Sequence, residues 1–206
     1  MRIGIFGGTF DPVHNAHLFL AESARLLERL DKVLFVPTRE HKHYRNASFA
    51  DARHRCAMIT GAIAGNHGFA LDESDLRDDA TGYTADLLPM LRETYPKADF
   101  TFIIGADSLA NSPWERFDEV LEQLERFVIA PRIGVRPEAL QRVIAAVPKK
   151  LRDRIATLNM PELTESATLV RTLLSQGRSV RYLVPEAVWE YIVAHRLYGI
   201  ESSPSQ

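Results

Sequence analysis

Arg2-Ile3-Gly4-Ile5-Phe6-Gly7-Gly8-Thr9-Phe10-Asp11-Pro12-Val13-His14-Asn15-Ala16-His17 joins an apolar run, a glycine pair and the entry to a helix in one continuous stretch. Arg2 to Phe6 reads as a buried strand, because the run is short, apolar and closed by turn residues. Two glycines after it let the backbone approach a ligand closely, since no Cβ stands in the way. The helix that follows brings free N–H groups and the positive end of its dipole to the same place, a setting that favours an anion. His14 and His17 are three apart, on roughly one face of that helix start. Together these features describe a phosphate pocket with two imidazoles aimed into it. It is not a Walker loop, because no Gly-Lys-Ser/Thr follows, and Gly-x-Gly-x-x-Gly is also absent. Singly, each piece is ordinary: a glycine pair is often only a turn, and a histidine near a helix start is more often a cap or a surface residue. A zinc reading of the pair lacks an obviously placed third histidine or carboxylate.

Outward from this stretch, short apolar runs alternate with helix-like segments. Helical spacing over about Asn15 to Leu30 directs Leu18, Phe19, Leu26 and Leu30 toward the core. Further strands read at Lys32 to Val36, Gly68 to Asp72, Phe100 to Ile104 (ended by Gly105) and Phe127 to Ala130, with a last one near Ile155 to Leu158. Helices read at Phe49 to Ala64, Tyr83 to Tyr95, Glu115 to Leu124, Pro137 to Val147, Ser166 to Gln176 and Pro185 to His195. Such alternation implies a Rossmann-like, doubly wound α/β fold, with a mainly parallel sheet, helices on both faces and a helical C-terminal part. Right-handed crossovers then place the strand C-termini along one edge, where ligands sit. Residues 1–200 read as a single domain, and 201–206 as a frayed tail.

Composition sets the outer limits. The chain has 206 residues, 46% of them apolar, too many for global disorder. Its 25 Lys and Arg against 27 Asp and Glu leave a net charge of -2, which excludes a basic nucleic-acid coat but allows a local phosphate pocket. A single cysteine, Cys56, excludes an internal disulfide framework and a Cys-rich zinc site, and reads as a small core residue in Arg55-Cys56-Ala57-Met58-Ile59. No run approaches the roughly 20 apolar residues of a membrane span, and no signal-peptide pattern opens the chain, so a cytoplasmic protein is expected. Assembly into a homo-oligomer is left open.

The chemistry-bearing motifs resemble those of a known superfamily. Gly7-Gly8-Thr9-Phe10-Asp11-Pro12-Val13-His14-Asn15-Ala16-His17 resembles the GxFDPxHxGH signature of the nucleotidyltransferases, relatives of class I aminoacyl-tRNA synthetases. Glu165-Ser166-Ala167-Thr168-Leu169-Val170-Arg171 resembles their ISSTxxR motif. Further segments are similar to the bacterial nicotinate-nucleotide adenylyltransferase family: Gly105-Ala106-Asp107-Ser108-Leu109 followed by Trp114, Gly82-Tyr83-Thr84-Ala85-Asp86, His41-Lys42, Phe127 to Gly134, and Leu197-Tyr198. The resemblance covers nearly the whole chain. Departures are Ala16 for glycine, Arg39-Glu40 for a proline pair, Gly82 for serine, Glu165 for an apolar residue and Ala167 for serine.

The resemblance implies transfer of an adenylyl group. The phosphate of nicotinate mononucleotide attacks the α-phosphorus of ATP, giving nicotinate adenine dinucleotide and pyrophosphate in NAD biosynthesis. A phosphate monoester, with a second pKa of about 6, is already anionic at neutral pH, so no strong general base is needed. Catalysis then rests on alignment and on stabilising phosphate charge, with Mg²⁺ accompanying ATP. By resemblance His14 and His17 meet the ATP phosphates, Arg171 with Ser166 and Thr168 holds the β- and γ-phosphates, and Gly7, Gly8, Thr9 and Phe10 line the site through their backbone. Gly105 and Asp107 fall on the adenosine side, where Asp107 bonds the ribose or else merely caps a helix. Lys42 reaches a phosphate or is a solvated loop lysine. Trp114 stacks on the pyridine ring or packs on the sheet edge. Tyr83 and Thr84, opening a helix, offer N–H groups to the nicotinate carboxylate, and Arg132 goes with this acceptor set. The His41 to Asn46 run suggests a lid that closes on phosphates. Trp189, Tyr191 and Tyr198 read as C-terminal packing. Acceptors such as nicotinamide mononucleotide or phosphopantetheine, and a non-catalytic nucleotide-binding module, are the competing readings.

Overall fold

The structure is a computed structural model, and it describes residues 1–39, 50–111 and 114–200. Lys42, the 41–46 segment, the expected helix start at Phe49 and the 201–206 tail lie outside the described residues. Six strands form one sheet: β1 (Arg2–Gly8), β2 (Lys32–Pro37), β3 (Phe69–Leu71), β4 (Asp99–Gly105), β5 (Arg126–Ala130) and β6 (Ile155–Thr157). Their order is β3-β2-β1-β4-β5-β6, and every neighbouring pair is parallel. Chain order reverses between β1 and β4, so the crevice past their C-terminal ends is the ligand position in a sheet of this kind.

The glycine pair extends β1 instead of following it. Gly7 pairs with Val36 and Gly8 with Pro37, so the ladder runs two residues further than the apolar run alone implies. Gly105 likewise belongs to β4, opposite Ala130.

Strand side chains alternate between two cores, as the pleat requires. Phe6, Val33, Phe35, Ile103 and Val128 face one cluster, covered by α1 (Asn15–Leu27), α2 (Ala52–Ile63), α8 (Ala167–Ser175) and α9 (Glu186–Ala194). Ile3, Ile5, Leu34, Val36, Phe100, Phe102 and Phe127 face the other. That face is covered by α3 (Thr84–Thr94), α4 (Ala106–Asn111), α5 (Phe117–Glu122), α6 (Pro137–Ala146) and α7 (Lys149–Arg152). Each fully buried Leu, Ile or Phe contributes roughly 1.5–3 kcal/mol of transfer free energy, so both faces are needed to hold the sheet. A short 3₁₀ turn at Ser74–Leu76, the four-residue α7 and α4 itself are elements that apolar periodicity does not single out.

Helix α1 corrects the expected inward set. Leu30 is buried and Leu18 partly so, but Phe19 and Leu26 are 47% and 60% exposed. The inward residues are Ala16, Leu20, Ala21 and Ala24. Alanines on that face let the helix lie close to the sheet, and close packing rather than side-chain hydrophobicity sets the phase. The helix ends at Leu27, so Leu30 fills the core from the loop beyond it. A Cβ on Gly4 would stand 2.7 Å from Leu30 Cδ1 and 2.8 Å from Ile103 Cδ1, which is why that strand position carries glycine. Similarly, α5 starts at Phe117 rather than Glu115 because Arg116 takes a left-handed conformation, with φ 57°.

Candidate active site

His14 is the N-cap of α1, in extended conformation, and His17 is the third helical residue. The His14 N–H donates to His17 Nδ1 at 3.2 Å, and the two rings stack with centroids 3.6 Å apart. The spacing of three therefore does more than place two rings on one face: it locks one against the other. Because His17 Nδ1 accepts, a neutral His17 carries its proton on Nε2, which makes that nitrogen a donor. His14 is buried, and its Nδ1 has no hydrogen-bond partner among the described residues. Burial, and next the nearby Arg132 guanidinium, push the His14 pKa down to about 3. His17 is held well below the ordinary imidazole range by burial, then by His14 and Arg132. Both rings are thus neutral at pH 7 in the free protein.

Arg132 follows β5 and crosses to the end of β4. Its Nε lies 3.6 Å from Asp107 Oδ1, and its Nη1 donates to the Glu165 carbonyl at 2.9 Å. Asp107 sits in the first turn of α4 with its side chain half exposed. Gly105 makes room for this pair: a Cβ there would stand 2.5 Å from Asp107 Oδ1 and 3.4 Å from Arg132 Nε. Arg132, expected with the acceptor residues, lies beside the histidines and Asp107.

Helix α8 supplies the second group. Ser166 caps it, its Oγ accepting from the Leu169 N–H at 3.2 Å. Arg171, one turn in, donates from Nη1 to the Asp11 carbonyl at 2.6 Å and from Nη2 to Thr168 Oγ1 at 3.3 Å. The two motifs, 160 positions apart, are therefore in direct contact. Thr9 is exposed, whereas the Phe10 side chain is core, edge-on to Phe6 and His17 and tilted against Phe35, with φ 49°, so only its backbone is offered to the crevice.

Tyr83 and Thr84 open α3 and Trp114 packs on the same face of the sheet, apart from the histidines. Tyr83 is the N-cap of α3, and its N–H donates to Thr81 Oγ1 at 3.3 Å. Asp86, two residues into the helix past Thr84, accepts from Thr81 Oγ1 at 2.6 Å and from Arg116 Nη1 at 2.5 Å. That pairing ties the start of α3 to the segment carrying Trp114. Trp114 is partly buried against Phe102, Phe117 and Phe127 at 5.4–5.7 Å.

Three residues given no part in the site from the sequence hold the first loop in place. Arg55, 3% exposed, donates to the carbonyls of Thr9 at 2.8 Å and Ala50 at 3.2 Å. Its signal was available: Met58 and Ile59 are its i+3 and i+4 neighbours, so helical spacing puts this arginine on the inward face. Asp11 is fully buried, inside the motif itself. Tyr198 reaches it from the C-terminal end, and no local pattern announces that contact. Cys56 is buried as expected, and burial first, with Glu73 beside it, pushes its thiol up to about 11.

Comparison with known proteins adds to this geometry. The cytidylyltransferase-like family model matches residues 5–173. A protein of Synechococcus sp. (strain JA-3-3Ab), named probable nicotinate-nucleotide adenylyltransferase, is 41% identical over 96% of this chain and 94% of its own. One of the same name from Thermomicrobium roseum is 38% identical over 96% and 91%. Among solved structures, the Plasmodium falciparum nicotinic acid mononucleotide adenylyltransferase complexed with NaAD aligns over 97% of this chain and 98% of that one. Its TM-score is 0.79 at 21% identity, a likeness of fold.

Proposed function

The chain belongs to the cytidylyltransferase-like family, alongside nicotinate-nucleotide adenylyltransferases, and from that premise we propose that it joins ATP and nicotinate mononucleotide into nicotinate adenine dinucleotide and pyrophosphate. The observation that carries the proposal is the stacked His14–His17 pair, with His14 buried, at the crevice between β1 and β4, with Arg132 beside it and Arg171 bound to the same loop.

In this mechanism the triphosphate lies along the ends of β1 and β4. Gly7, Gly8, Thr9 and the Phe10 backbone let it approach, and His17 Nε2–H donates to the α-phosphate region. His14 joins it there through Nδ1, which has no hydrogen-bond partner among the described residues. Neutral imidazoles donate without the cost of burying a charge, and the arriving phosphates favour their protonation as charge grows on the transferring group. Ser166, Thr168 and Arg171 hold the β- and γ-phosphates at the start of α8. Gly105 and Asp107 receive the adenosine ribose. Tyr83, Thr84 and Trp114 form the acceptor side, with Arg132 between acceptor and triphosphate, and Lys42 completes the phosphate ligands. In-line attack by the mononucleotide phosphate then needs alignment more than proton transfer.

Among the described residues, no group of three or more His, Cys, Asp or Glu could hold a metal ion. In this reading Mg²⁺ belongs to the ATP that is bound, with no step routed through it. Among the described residues, no helix is long and apolar enough to cross a membrane, and we place the enzyme in the cytoplasm.

The test is pyrophosphate release with ATP and Mg²⁺, run in parallel with nicotinate mononucleotide, nicotinamide mononucleotide and phosphopantetheine. Turnover with the nicotinate acceptor above the others is expected. Turnover chiefly with another acceptor would displace the roles given to Tyr83, Thr84 and Trp114. ATP binding with no release from any acceptor would leave a nucleotide-binding module.

A further inference from the structure

Tyr198 lies near the C-terminus, yet its hydroxyl ends in the first motif. It donates to Asp11 Oδ1 at 2.6 Å across 187 positions. The same oxygen accepts from the Ala50 N–H at 3.2 Å. The other carboxylate oxygen, Oδ2, has no hydrogen bond among the described residues, and faces Arg171 Nη1 at 3.8 Å. Asp11 is fully buried, so its charge is divided between a phenol and a backbone N–H at Oδ1 and a guanidinium at Oδ2. Tyr198 also holds φ 61° and ψ 29°, in the left-handed region that favours glycine. A tyrosine stays there only where the surrounding contacts over-determine it. Burial, and then Asp11, raise the phenol above its ordinary range, so it remains a donor throughout the physiological span.

We propose that Tyr198 is a positioning residue for the triphosphate: by taking up Oδ1 of Asp11, it limits how far Asp11 neutralises Arg171, and so sets the charge Arg171 presents to ATP. This rests on the adenylyltransferase reading above. Without the hydroxyl, Oδ1 keeps only the Ala50 N–H, and more of the carboxylate's charge falls on Arg171. The arginine is then held more tightly by its own loop and less by the phosphates. The acceptor group at Tyr83, Thr84 and Trp114 lies elsewhere and is untouched.

The experiment compares wild type with Tyr198→Phe, which keeps the ring and its packing. It measures steady-state KM for ATP and for nicotinate mononucleotide, and ATP binding by calorimetry. Loss of a hydrogen bond to a buried charge is expected to raise the KM and Kd for ATP about ten-fold, with the acceptor KM unchanged. On an Arg171→Gln background the same change is expected to add nothing, because Tyr198 acts through Arg171. Unchanged ATP binding in Tyr198→Phe, an equal rise in both KM values, or the same loss on both backgrounds would each overturn the proposal in favour of plain structural support. Should Tyr198→Phe not fold, Asp11→Asn decides. It removes the counter-charge and is expected to bind ATP at least as tightly as wild type; weaker binding overturns the idea. If wild type makes no dinucleotide from any acceptor, the functional reading fails, while calorimetry with ATP alone still decides the role of Tyr198.

Discussion

His14 and His17 gain their properties from each other and from Arg132. A solvent-exposed imidazole takes a proton near pH 6.5, whereas the buried His14 does so only at about 3. Between those values the unfolded chain binds a proton that the folded chain refuses. Stability therefore falls as pH drops through that window, and is restored above it. Thermal melts from pH 7.5 to 4.5 are expected to show this decline, and His14→Asn to flatten it. Equal slopes in both proteins would mean that His14 is charged in the fold. For catalysis, His17→Asn is expected to lower kcat by about 100-fold, the scale of one lost donor to a developing phosphate charge. Pyrophosphate release measured at saturating ATP and acceptor checks this, and a rate within two-fold of wild type would remove His17 from the chemistry.

Among the elements, the end of β4 shows how a strand can be built around a site. Gly105 keeps the ladder to β5 while leaving space for Asp107 and Arg132 above it. In Gly105→Ala the new methyl would meet Asp107 Oδ1 at 2.5 Å, and that half-exposed side chain must swing away. Because it moves into solvent, the cost in stability is expected to be within about 1 kcal/mol. The Asp107–Arg132 pairing is lost, and kcat/KM for ATP is expected to fall about ten-fold, the effect of one misplaced polar contact. A melting curve and a kinetic run on the same preparation separate the two effects. A large loss of stability with normal kinetics would contradict this account. The same logic explains why α1 could be placed from the sequence but not rotated: its exposed Phe19 and Leu26 are more apolar than the alanines that face the sheet. Apolar periodicity weighs side chains, whereas close approach to a sheet selects small ones.

At the scale of the whole molecule, the first loop is clamped from three distant parts of the chain. Arg55 on α2 bonds the Thr9 carbonyl, Arg171 on α8 bonds the Asp11 carbonyl, and Tyr198 bonds the Asp11 carboxylate. Both apolar clusters share the one sheet, so we propose that residues 1–200 form a single domain that unfolds in one step. Urea titrations followed by tryptophan fluorescence and by circular dichroism are expected to coincide. Arg55→Met keeps the apolar stem but strips the Thr9 and Ala50 carbonyls of their buried donor, with an expected loss of about 3 kcal/mol. A shift in the urea midpoint at constant slope reads this loss, and an unshifted midpoint would mean that water replaces the guanidinium.

The sequence by itself determined the alternation of strands and helices, the parallel sheet, the crevice past the glycine pair and the chemistry of its histidines. These are local matters: periodicity over a few residues, the missing Cβ of glycine, and residue types within one turn of a helix start. Only the tertiary structure decided that Arg132 belongs beside the histidines, that Arg171 is bound to Asp11, and that Tyr198 and Arg55 support the same loop. Those contacts join residues 46 to 187 positions apart. No local pattern encodes a partner so distant, because the pairing exists only once the sheet has brought the strand ends to one edge.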